Sequence, residues 1–138
     1  MNPSPQLVFI GFVEKYENDT AIIRIYEKYT RGLDKITDFS HIIVLYWLHL
    51  KDDPENRSIL QVHPRGDLNK PLVGVFATRS PSRPNPIGLC VCKLIKVEEN
   101  MLYIKNLDAF VGSPILDIKP YIPSLDCRPN AQIPDWIR

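Results

Sequence analysis

Two arginines and three prolines crowd the segment Ala77–Gly88, which reads Ala-Thr-Arg-Ser-Pro-Ser-Arg-Pro-Asn-Pro-Ile-Gly. Pro81, Pro84 and Pro86 fix their own φ and push Ser80, Arg83 and Asn85 toward extended backbone, which excludes a helix. What remains is a stiff, polyproline-like loop carrying Arg79 and Arg83 beside Thr78, Ser80, Ser82 and Asn85. A loop ordered before it meets a ligand loses less entropy on closing, and guanidinium groups suit a carboxylate or another anion. Surface ion pairs are the plainer use of such arginines. They are worth only ~0–1 kcal/mol each and do not call for so much proline, so the loop is read as a binding element.

Two further segments carry chemistry. In His63-Pro64-Arg65-Gly66-Asp67, Gly66 and Asp67 suit a tight turn, while His63 and Arg65 could meet a ligand. Asp117, Lys119 and Tyr121 alternate, so on an extended strand they share a face. An acid, an amine and a phenol placed together can do general acid–base work or orient a substrate; an ion pair beside an amphipathic tyrosine is the other reading. Cys90 and Cys92 also fall on one face of a strand, where reduced cysteine packs as a small apolar group. A zinc site shared with His41, His49 or His63 is the alternative, but no second cysteine pair supports it, and no metal is expected. There is no glycine-rich dinucleotide fingerprint, no phosphate loop and no Gly-x-Ser-x-Gly turn. Dehydrogenase, nucleotidase and serine hydrolase chemistry are disfavoured, and a reaction that needs only the alignment of two ligands survives.

These residues must be positioned by a chain of 138 residues, read as one domain over 1–138 with no additional C-terminal domain. The net charge of +1 argues against a general nucleic-acid coat and leaves room for a local basic patch. No apolar run approaches the ~20 residues of a membrane span. The start of the chain lacks a basic and apolar signal pattern, so a cytoplasmic protein is expected. Three cysteines form an odd set that does not suggest a disulfide framework.

Thirteen prolines and short apolar runs predict a mainly β protein with little helix, a small antiparallel barrel or sandwich of about seven strands. Gln6–Glu14 and Thr20–Glu27 read as a hairpin, and Thr30–Asp38 as a short helical turn. Ile42–Leu50 reads as a central strand buried on both faces, and Lys51–Arg57 as a solvated charged stretch. Leu60–His63 and Leu72–Ala77 are further strand-like runs, and Leu89–Val97 with Met101–Leu107 form a second hairpin. After Asp108 no periodicity is visible. In the Pro-rich tail, Tyr121, Ile122, Ile133, Trp136 and Ile137 are apolar enough to pack on the domain or on another subunit.

Gly74-Val75-Phe76-Ala77-Thr78-Arg79-Ser80 followed by Arg83-Pro84-Asn85-Pro86-Ile87-Gly88 resembles the signature of the TsaA-like (TrmO, YaeB-like) family. The family's other marks occur in the expected order: Gly32-Leu33 to Asp38-Phe39-Ser40-His41, then His63-Pro64-Arg65-Gly66, then Gly112-Ser113-Pro114 through Tyr121. The resemblance implies a β-barrel methyltransferase that uses S-adenosyl-L-methionine and modifies the exocyclic amine of threonylcarbamoyl-adenosine beside the tRNA anticodon. It also implies a homodimer with the cofactor near the subunit interface. By the same resemblance, cofactor binding falls on Arg79, Ser80, Arg83, Pro84, Asn85, Ile87 and Leu116. Arg79 or Arg83 would hold the methionine carboxylate, and backbone groups near Ile87 and Leu116 would meet the adenine. Asp117 or Tyr121 would orient or deprotonate the acceptor nitrogen, and His63, Arg65 and Lys119 would hold the substrate. A methyltransferase of the same fold acting on a small metabolite, and a non-catalytic S-adenosylmethionine-binding module, are the competing readings.

Overall fold

A computed structural model describes residues 4–137. In chain order the elements are β1 (Gly11–Glu17), β2 (Thr20–Ile25), β3 (His41–Trp47), α1 (Pro54–Arg57), β4 (Gln61–Val62), β5 (Val73–Gly74), β6 (Ile87–Glu98), β7 (Met101–Lys105), β8 (Pro114–Pro120) and α2 (Pro123–Asp126), with short 3-10 turns between them. The chain divides into two compact units, one of residues 4–47 with Leu89–Tyr121, the other of Leu48–Gly88 with residues 122–137.

The first unit holds a closed barrel with strand order β1-β2-β7-β6-β3-β8. Closure leaves no unpaired sheet edge. The inward positions repeat every second residue, which is the period a strand imposes. Val13, Ile23, Ile25, Ile42, Val44, Cys92, Leu102, Ile104 and Ile115 are thereby buried. The turn between β1 and β2 places Asn18 at φ 56°, a left-handed conformation that asparagine tolerates. At Gly11 the strands come close enough that a Cβ would lie 2.2 Å from the Arg24 carbonyl oxygen, so only glycine fits there.

Several expectations shift. The first strand begins at Gly11 and not at Gln6, although the Ile10 N–H still donates to the Ile115 carbonyl at 2.8 Å. β3 is buried on one face: Ile42, Val44 and Tyr46 point inward, while Ile43, Leu45 and Trp47 are only half-buried. The run predicted to reach Leu50 ends at Trp47, and a 3-10 turn takes over at His49. β8 was invisible to hydrophobic patterning because Pro114, Asp117, Lys119 and Pro120 interrupt its apolar positions. Its pairing with β3 is irregular: Leu45 faces Asp117 and Tyr46 faces Ile115, which leaves Leu116 without a partner across that ladder.

The second unit has almost no apolar core. Among its described residues only Pro64, Val75 and Pro86 are buried. Its two strands are two residues each, pairing Gln61 with Gly74 and Val62 with Val73. The single turn of α1 opens with Pro54, and the Asp53 carboxylate accepts from the Asn56 N–H at 2.7 Å and from its side-chain amide at 2.8 Å. Those two bonds, the backbone one first, hold the Asp53 carboxyl below its ordinary range. The stretch 51–57 is therefore a built element and not merely a solvated one.

Candidate functional site

The proline-rich loop is knitted to itself by short hydrogen bonds. The Thr78 hydroxyl donates to the Val75 carbonyl at 2.8 Å and accepts from the Ser80 N–H at 3.1 Å, and the Ser80 hydroxyl accepts from the Ser82 N–H at 3.2 Å. Such side-chain-to-backbone bonds replace the ladder that an irregular segment lacks. Arg83 is part of this framework: its Nη1 donates to the carbonyls of Thr78 at 3.1 Å and Ser80 at 3.0 Å. From behind, the Arg57 Nε donates to the Pro84 carbonyl at 2.8 Å, and its Nη2 reaches the Asn85 side-chain oxygen at 3.4 Å. Asp52 anchors the same guanidinium at 2.9 Å. The Ser82 hydroxyl donates to the Asn56 amide oxygen at 2.7 Å. Even the Ile87 N–H is used inside the loop, on the Asn85 carbonyl at 2.7 Å.

Arg79 is different. Its side chain makes no hydrogen bond or ion pair with any described residue, and it lies exposed on the lining of a cleft of about 750 Å³. The same cleft is lined by Val62, His63, Pro64, Arg65, Gly66, Leu68, Thr78, Ser80, Pro81 and Ile137. His63 is oriented by a 2.8 Å bond between its Nδ1 and the Lys70 carbonyl. A carbonyl only accepts, so Nδ1 carries the proton and Nε2 is left as an acceptor. Arg65, also exposed and without a carboxylate partner among the described residues, sits in the left-handed region at φ 57°. That conformation costs about 1 kcal/mol or more and is held by the turn in which the Gly66 N–H donates to His63 and the Asp67 N–H to Pro64. Of the residues singled out from sequence, His63, Arg65, Arg79 and Ser80 thus share one cleft. Among the described residues its guanidinium groups have no counter-ion, and much of the remaining lining is apolar.

The sequence profile described as the tRNA-methyltransferase O N-terminal domain matches residues 13–127. This chain belongs to that family. It is 50% identical over 118 residues to a probable S-adenosyl-L-methionine-binding protein of Methanocaldococcus jannaschii, a match covering 86% of this chain and 93% of that protein. It is 40% identical over 111 residues to the human tRNA (adenine(37)-N6)-methyltransferase, covering 80% of this chain and 24% of the human protein. The fold matches the crystal structure of TrmO from Pseudomonas aeruginosa with a TM-score of 0.76 at 23% identity, covering all of this chain (100%) and 64% of that one. The chain therefore spans less than two thirds of that TrmO chain and about a quarter of the human protein.

The other positions carried over from the TrmO family lie in the barrel unit. Asp117 and Lys119 share a face of β8, as their alternation predicts, and pair at 2.9 Å; the second Asp117 oxygen accepts from the Ile118 N–H at 2.9 Å. Tyr121 follows the end of β8, where its N–H donates to the His41 carbonyl at 3.1 Å and its ring meets the His41 ring edge-on at 6.4 Å. Leu116 is the residue skipped at the β3–β8 irregularity. The C-x-C pair belongs to the barrel interior: burial pushes the Cys92 thiol up to about 12. The Cys90 sulfur accepts from the Asp108 N–H at 3.3 Å. Among the described residues no group of three or more His, Cys, Asp or Glu is placed to hold a metal, and no helix is long and apolar enough to cross a membrane.

The residues that sequence reasoning missed are Arg57, Asn56 and Ile137. The first two lay in a stretch read as solvent-facing, and nothing in their local pattern marks them as struts. Ile137 was read as apolar enough to pack on the domain or on another subunit, and the cleft gives it a specific role.

Proposed function

We propose that this chain is an S-adenosyl-L-methionine-dependent methyltransferase of tRNA adenine, and that the cleft at Arg79 is its cofactor site. The observation that carries the reading is the split between the loop's two arginines: Arg83 is spent on shaping the loop, and Arg79 has no partner among the described residues and stands on a preformed surface. An exposed guanidinium fixed in place by a rigid loop suits the methionine carboxylate, and bidentate pairing adds geometric specificity. The apolar lining from Val62, Pro64, Leu68 and Pro81 suits an adenine ring, and His63 Nε2 offers an acceptor to an amine or ammonium. Ser80, Pro84, Asn85 and Ile87 complete the loop, and Leu116, on β8, is the further position that the family resemblance assigns to the cofactor. When bound, the cofactor supplies an electrophilic methyl group on a sulfonium. The protein's part is alignment, which alone can contribute several kcal/mol to such a displacement.

The acceptor is read as the exocyclic amine of threonylcarbamoyl-adenosine next to the anticodon. A carbamoylated amine is a poor nucleophile whose proton is easier to remove, which gives Asp117 or Tyr121 the task of orienting or deprotonating it. The exposed Asp117–Lys119 pair opposes this little, since such pairs contribute ~0–1 kcal/mol. Arg65 and Lys119 would meet the threonyl carboxylate or a phosphate. Phe76, 78% exposed, offers a face on which an unstacked base can lie. The two compact units act as one domain, consistent with a single family match that runs through both. A homodimer would cover the outer stripe of β6, where Leu89, Val91 and Ile95 are each more than 40% exposed. A tRNA substrate puts the place of action in the cytoplasm.

The test is calorimetric titration with S-adenosylmethionine, followed by methyl transfer to tRNA carrying the threonylcarbamoyl group. Binding that Arg79→Ala abolishes, together with a methylated product, supports the reading; a well-folded protein that binds no S-adenosylmethionine ends it. Binding without product would favour the second reading, a module that holds the cofactor without transfer. The name of the M. jannaschii relative favours that alternative. Asp117→Asn should lower turnover far more than cofactor affinity, and equal loss of both would remove its catalytic role.

A further inference from the structure

The family match ends at residue 127, yet the cleft lining includes Ile137. From Pro123 to Asp135 every residue is exposed, and only then do Trp136 and Ile137 become half-buried. The return is made by a 3-10 turn, Asp135–Ile137, closed by the Ile137 N–H on the Pro134 carbonyl at 3.3 Å. Pro129 and Pro134 stiffen the approach. A stretch with so little burial of its own gains nothing from ordering except what its last residues touch, and what Ile137 lines is the cleft of Arg79 and His63.

We infer that the segment 128–137 is a ligand-binding determinant of this protein, with Ile137 as an apolar wall of the cofactor cleft supplied from beyond the residues that the family profile matches. The inference rests on the cofactor reading given above and deepens it. Arg79 and Arg65 supply charge to the lining, and Ile137 adds to the apolar surface that Val62 and Leu68 offer to the flat or aliphatic part of a ligand. Contact with a flat nucleobase or a methionine chain removes this surface from water, which adds affinity without adding charge. Affinity for S-adenosylmethionine is thereby set partly by residues on which the family match places no constraint.

The experiment is calorimetric titration of four proteins with S-adenosylmethionine: the full chain, a form lacking Asp135–Arg138, Ile137→Ala, and Ile133→Ala. Ile133 is 56% exposed and does not line the cleft, so it controls for a general effect of altering the tail. The expected result is binding weakened about ten-fold or more by Ile137→Ala and by the deletion, from loss of apolar contact, with Ile133→Ala binding as the full chain does. Full-chain binding that depends on Arg79 but is unchanged by both Ile137→Ala and the deletion would overturn the inference and leave the cofactor reading standing. Equal weakening by Ile133→Ala and Ile137→Ala would overturn the wall role too. No binding by the full chain would end the cofactor reading and this inference with it. Should the deleted form fail to fold, the two point variants still decide.

Discussion

The barrel and the loop-bearing unit solve the same problem, a fixed shape, by opposite means. The barrel buries a continuous set of branched apolar side chains, and closure of its sheet pairs its backbone mainly strand to strand. The second unit buries little beyond Pro64, Val75 and Pro86, and takes its shape from proline stiffness and from hydroxyls and guanidinium groups bonded to backbone carbonyls. The difference teaches where this protein separates stability from ligand geometry. Damage to the barrel should be read in the melting temperature, and damage to the loop in binding.

The largest expected effects are at two barrel positions, Gly11 and Ile104. Gly11→Ala would drive a Cβ into the Arg24 carbonyl and should cost about 3 kcal/mol of stability by overpacking; chemical denaturation measures it. Ile104→Ala, at a fully buried barrel position, should cost about 2–5 kcal/mol through lost transfer energy and a cavity. If either variant melted like wild type, the barrel would not be the stabilising half. Arg83→Ala tests the opposite side. Losing two hydrogen bonds to backbone carbonyls should cost only about 1–3 kcal/mol of stability, while S-adenosylmethionine affinity should fall by at least as much as for Arg79→Ala, because the whole loop loses its form. Intact binding in Arg83→Ala would show that the prolines alone hold the loop.

A smaller effect is expected from pH. The Asp53 carboxyl is held low by the Asn56 N–H, so its contribution is full above the ordinary aspartate range and lost as pH falls through the lowered value. Binding at acid pH should weaken before the barrel unfolds, and Asp53→Ala should show the weakened binding already at neutral pH. Calorimetry beside circular dichroism across the acid range measures both. The smallest effect is chemical: the exposed Cys127 should be alkylated in the native protein, whereas Cys92, buried and with its thiol raised to about 12, should react only on unfolding. Mass spectrometry of the labelled peptides distinguishes them.

Much of this was legible beforehand where a local rule operates. Short apolar runs marked β2 and the β6–β7 hairpin, and three prolines marked the loop as non-helical, although bends at Thr78, Pro81 and 83–85 make it less extended than a polyproline-like segment. The signature residues placed the family. β8 escaped because its outward positions carry charge and its ends carry proline, so no periodicity survives, although the alternation of Asp117 and Lys119 did foretell their shared face. The burial of β3 was overstated for a related reason: an unbroken apolar run shows that both faces avoid water to some degree, and not which face is the core.

By itself the sequence determined a non-helical, proline-stiffened loop, the mainly β class and family membership, because proline geometry, short apolar runs and a contiguous signature are properties of neighbouring residues. Only the tertiary structure decided that Arg83 is a strut while Arg79 has no partner among the described residues, that Arg57 and Asn56 brace the loop, and that Ile137 lines the cleft. Two arginines in one loop are alike on paper. What separates them is which carbonyl oxygens lie within 3.1 Å of each guanidinium, and those carbonyls are positioned only once the chain has folded.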